Sequence, residues 1–167
     1  MKSLILLTLF SLILVAEDCP NVNQIKSSQT PLDMFKKLPE CFKANRYDDA
    51  AKLYIISQTY GKYDTLRVSD RSAHQAVAVM RMSIGSMLNT QQLNEFQNAL
   101  DPYLNDRTQI CSILTKLGKP NYHPSYMINH GLNAFNGPQQ NNGLNADFNP
   151  ESAWKETLGG YMKCTLN

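Results

Sequence analysis

Residues 64–88 read DTLRVSDRSAHQAVAVMRMSIGSML, the most persistent periodic stretch of the chain. Leu66, Ala73, Val77, Met80, Ile84, Met87 and Leu88 recur at helical spacing, which predicts the buried seam of one long helix. Off that seam lie Arg67, Asp70, Arg71, His74 and Arg81, three, four and seven residues apart. On a helix Asp70 and His74 are close enough to touch. Arg67, Asp70, Arg71 and His74 therefore form the candidate binding stripe, with Asp70 orienting His74 and the arginines meeting a partner's carboxylates. The competing reading is a solvated helix face carrying its own ion pairs.

Helical patterns extend outward on both sides. Thr30 caps and Pro31 opens a helix whose apolar face is Leu32, Phe35 and Leu38. Pro39 is expected to interrupt it, leaving Glu40-Cys41-Phe42 as a separate short turn. A further helix is expected over residues 48–60, ended by Gly61, with Ala50, Ala51, Leu53, Tyr54, Ile55 and Ile56 as its apolar residues. Beyond the long stretch, Asn89-Thr90 begins a helix with Leu93, Phe96 and Leu100, expected to end at Asp101-Pro102. Another follows to Leu117 with Gly118 as terminator. Residues 119–150 are rich in Pro, Gly and Asn, and only Lys119 and Asp147 among them are charged. A short helix after His123-Pro124, a long loop over residues 136–149 and a last helix through Trp154 and Leu158, stopped by Gly159-Gly160, complete the pattern. Trp154, Tyr161 and Phe148 are expected as a core patch beneath this tail. The fold class is all-α, a bundle of five to seven helices with a long irregular C-terminal segment, in one domain over residues 17–167.

The first residues carry a different message. Met1-Lys2-Ser3 precedes an apolar run from Leu4 to Ala16 broken only by Thr8 and Ser11. Its 13 residues fall short of the roughly 20 that span a bilayer, so residues 1–16 read as an export signal cut near Ala16. The four cysteines, Cys19, Cys41, Cys111 and Cys164, all follow it. An even set in an exported chain points to disulfides, whereas zinc binding would favour clustered Cys-x-x-Cys pairs that are absent. Three pairings are possible. The preferred one joins Cys19 to Cys41 and Cys111 to Cys164, which would tie down both ends of the mature chain.

Ala44-Asn45-Arg46-Tyr47-Asp48-Asp49-Ala50-Ala51-Lys52-Leu53-Tyr54 resembles the helix-turn-helix junction of a tetratricopeptide or Sel1-type repeat. The likeness covers residues 38–66 and implies a helical hairpin of a kind that serves as a binding scaffold. In size, export signal and cysteines the chain is also similar to small exported bacterial helical proteins, toxin-immunity proteins among them.

Composition narrows the function further. The 167 residues carry a formal net charge of +2 with no run of like charges, which argues against a nucleic-acid-binding footprint. No Gly-x-Ser-x-Gly elbow or phosphate-cradling glycine loop occurs. His123 and His130 lack a neighbouring carboxylate, and no cofactor or metal is expected. The reading that follows is an exported, non-enzymatic protein that binds another protein, as an inhibitor or immunity protein in a bacterial periplasm. The alternative is a small periplasmic hydrolase or ligand-binding protein with a cleft centred on His74.

Overall fold

The computed structural model describes residues 19–137 and 139–165, so the expected export signal lies outside the described residues. Seven α-helices occur among them: α1 (Pro31–Lys43), α2 (Tyr47–Arg67), α3 (Gln75–Met87), α4 (Thr90–Asn105), α5 (Thr108–Leu117), α6 (Ser125–Ile128) and α7 (Pro150–Glu156). The described residues contain no strand, only an isolated antiparallel bridge between Val68 and Leu144. The all-α architecture expected from periodicity is therefore what the chain adopts.

The helix starts follow their caps. Thr30 Oγ1 accepts from Asp33 N at 3.1 Å while Asp33 Oδ2 accepts from Thr30 N at 3.0 Å, a reciprocal box that opens α1. Asn89 and Gln92 build the same box at the start of α4. The interiors depart from expectation at two prolines. Pro39 lies inside α1 and Pro102 inside α4, and neither helix stops. Each proline removes one backbone donor, but buried neighbours hold the helix together: Leu38, Cys41 and Phe42 around Pro39, and Tyr103 next to Pro102.

α2 is the spine. It packs against α1, α3, α4 and α7, and polar Ser57, Gln58, Thr59, Asp64 and Arg67 are buried on it together with its apolar residues. A helix covered on every side loses the one-sided pattern that marks a surface helix, which explains why its C-terminal half is illegible as periodicity. Gly61 does not end it. A Cβ there would stand 3.0 Å from Val77 Cγ2, so the glycine lets α3 approach closely.

The break falls instead at residues 68–70, inside the stretch expected to be one long helix. Val68 is extended, Asp70 is extended and caps a 3-10 turn over Arg71–His74, and α3 begins only at Gln75. An Asp whose side chain accepts from the amide two residues on is a helix-start signal, and it overrides the apolar spacing across it.

Two apolar clusters result. The larger gathers α1, α2, α4, α5, Met80 and Ile84 of α3 and the C-terminal segment, and the smaller holds Val68, Ala73, Ala76, Met127 and Ile128. Trp154 meets the rings of Tyr60 and Tyr63 edge-on, each at 5.9 Å, and Phe148 meets Tyr63 at 5.6 Å. Tyr161 is 41% exposed and does not join this patch. The expected stop at Gly159-Gly160 is also bypassed. α7 widens into a π turn over Thr157–Tyr161, which two glycines without side chains accommodate. Both disulfides form in the preferred pairing, Cys19–Cys41 and Cys111–Cys164. No helix among the described residues is long and apolar enough to cross a membrane.

Candidate functional site

The break at residues 68–70 separates the four residues of the expected stripe. Arg67 closes α2 and points inward. Its Nε donates to Asp64 Oδ1 at 2.7 Å and its Nη1 to the Tyr122 carbonyl at 2.8 Å. The guanidinium also lies 5.2 Å from the Tyr63 ring centre and 4.9 Å from that of Tyr122. Asp64, 0% exposed, receives two further donors on Oδ2, the hydroxyls of Tyr122 at 2.9 Å and Tyr126 at 2.8 Å. Burial pushes its carboxyl up to about 6, against the opposing pull of Arg67 and the two tyrosines. Burial, with the Asp64 charge beside them, drives both phenols well above their ordinary range. This network pins residues 122–126 to the spine.

Asp70 is not a partner of His74. Its Oδ1 accepts from Ser72 N at 2.9 Å and Ser72 Oγ at 2.6 Å, and its Oδ2 accepts from Asn133 N at 2.8 Å. The Ser72 hydroxyl first, then the Asn133 amide, hold the Asp70 carboxyl below its usual range. Ser72 Oγ in turn accepts from Leu132 N at 2.8 Å. His74 Nε2 lies 3.0 Å from the Val68 carbonyl, which only accepts, so the imidazole donates there. Of the expected stripe only Arg71 is exposed, and it makes no ion pair among the described residues. Spacings of three and four residues define a face only within a continuous helix, and here the helix is interrupted.

Asp70 and Ser72 instead clip a second segment to the turn. Residues Leu132–Asn136 form a 3-10 turn on their amides, and there Leu132 is 70% and Phe135 85% exposed. Gly131 permits the approach, since a Cβ at that position would collide with Asp70 Oδ2 and stand 2.9 Å from the Ala73 Cβ. The following residues are stitched to the same link. Ser69 N donates to the Gly143 carbonyl at 3.0 Å and Asn145 N to that of Arg67 at 2.8 Å. The region expected to be a free loop is thus fixed by backbone pairing with residues 67–69. Arg71, Leu132 and Phe135 had no shared sequence signal, because they lie some sixty residues apart in the chain.

His123 contacts Ser125 Oγ and the Asn142 carbonyl, and the described residues hold no group of three His, Cys, Asp or Glu side chains placed to bind a metal ion. In comparison with known proteins, no family model, no curated protein and no solved structure matches the chain.

Proposed function

We propose that this is an exported protein whose work is to bind another protein, as an inhibitor or immunity protein of a bacterial periplasm does, through the face formed by Arg71, Leu132 and Phe135. One observation carries the reading: a phenylalanine 85% exposed stands in a 3-10 turn whose Leu132 and Asn133 amides are clipped to Ser72 and Asp70, the residues that flank exposed Arg71 in the chain. An apolar side chain exposed to water leaves hydration free energy to be recovered on contact, and the clipped backbone of its turn lowers the ordering cost of that contact. Aromatic residues and arginine are also the side chains that dominate binding energy at interfaces. The partner this face suits offers an apolar pocket for Phe135 with a carboxylate at its edge for Arg71. Export is supported by the two disulfides and by the short apolar run before them.

A His74-centred hydrolase would require the imidazole to leave the Val68 carbonyl, and no observation favours that rearrangement. The test is retention of partner proteins from native cell extract by the wild-type chain, by Phe135→Ser and by Arg71→Glu. A protein retained by the first and lost with both variants, each still folded by circular dichroism, supports the reading. Equal retention by all three overturns it.

A further inference from the structure

A cavity of about 350 Å³ opens where α2, α3, α4 and the C-terminal segment meet, on residues that take no part in the Arg71 face. Ile55, Leu100, Leu104 and Met162 supply its apolar wall, and among the described residues no Asp or Glu lines it. Two cations do. Arg107 donates from Nη1 to the Met162 carbonyl at 2.9 Å, a neutral acceptor, and makes no ion pair among the described residues. Arg81, on an exposed turn of α3, makes no ion pair among the described residues, and its charge acts on the phenol of Tyr54 across the cavity.

Gln58 is the second observation. It lines the cavity from the spine, is 5% exposed, and among the described residues neither its Oε1 nor its Nε2 has a hydrogen-bond partner. Buried amides in folded proteins are almost always paired, so an orphan against a cavity marks a place where a ligand group completes the bonding. Tyr161, 41% exposed, and Leu104, 50% exposed, stand at the mouth, which makes Gln58 the deep end.

We infer that this cavity binds a small amphipathic carboxylate, an organic acid whose head meets Arg81 and Arg107, whose apolar body lies against Ile55, Leu100 and Met162, and whose far end carries a hydroxyl or carbonyl for Gln58. The volume lies near the lower end for small-molecule sites, which suits a slender body. Arginine favours a carboxylate through paired, charge-assisted hydrogen bonds, and the lack of lining acids removes competition for it.

The experiment is calorimetric titration of the purified, oxidised protein with 10-hydroxydecanoate, decanoate and decane-1,10-diol. The hydroxy acid should bind best, decanoate more weakly and the diol weakest. Arg81→Ala should weaken both acids by about tenfold or more and leave the diol unchanged. Gln58→Leu, close in volume, should abolish the advantage of the hydroxy acid over decanoate while preserving decanoate binding. Should Arg81→Ala fold poorly, Arg81→Gln makes the same comparison. Absence of saturable binding overturns the assignment, as does equal affinity for acids and diol or an Arg81 variant that binds the acids as wild type does.

Discussion

Asp64 shows how one buried carboxylate organises its surroundings and what that arrangement does to stability as pH changes. Its ordinary value is near 3.8 and burial raises it to about 6, so between those values the folded chain holds a proton that the unfolded chain has released. The group's contribution is complete below about 3.8 and is lost as pH rises through about 6. Arg67 pulls in the other direction. Arg67→Met should therefore move the loss to higher pH, with a cost that grows with pH to about 3–5 kcal/mol at pH 8, where an unpaired charge would have to stay buried. Denaturant midpoints of both proteins between pH 5 and 8 measure it, and a difference independent of pH contradicts the argument. None of this was legible beforehand. Asp64, Tyr122 and Tyr126 are each unremarkable in sequence, and it is the fold that places two phenols from far downstream on one oxygen.

Among the elements, those with a capping residue and a one-sided apolar face were readable: α1 and α4 begin where their caps predict, and α5 ends at Leu117 before Gly118 as expected. The errors cluster where packing outweighs a local signal. Pro39 and Pro102 look like breaks but sit in helices secured by buried neighbours, and Gly61 looks like a stop but serves a close helix approach. Conversely, Asp70 signals a helix start that the spacing from Leu66 to Leu88 conceals. The candidate face was missed for this reason, as only Arg71 of its three residues belonged to the stripe that periodicity defined. The turn bearing Leu132 and Phe135 depends on Gly131, whose φ of −80° any residue tolerates. The constraint there is space, because an added methyl would meet Asp70 and Ala73. Gly131→Ala should cost about 1–3 kcal/mol, expose the amides of Leu132 and Asn133 to hydrogen exchange, and weaken the binding proposed for this face while leaving both apolar side chains in place. Unchanged exchange at those two amides would show that the clip does not need a glycine at this position.

For the whole molecule, the two cross-links divide the labour. Cys19–Cys41 closes 22 residues and Cys111–Cys164 closes 53, for which loop-closure entropy gives about 3 and about 4 kcal/mol respectively. Replacing Cys111 and Cys164 by alanine should therefore lower stability more than replacing Cys19 and Cys41, as thermal or denaturant midpoints of the two double variants will show. Only the second pair should loosen the segment carrying Tyr161 and Met162. The Asp64 network carries a consequence for the rate at which the chain folds and unfolds. Arg67 lies three residues from Asp64, but the hydroxyls of Tyr122 and Tyr126 come from 58 and 62 residues away. Closing such distances is slow and favours contacts that form after the main barrier, whereas the α1–α2 hairpin needs only a three-residue connection. Tyr126→Phe should thus accelerate unfolding in proportion to its loss of stability and leave the refolding rate nearly unchanged. The phenols would then act as a latch whose release sets the lifetime of the folded state.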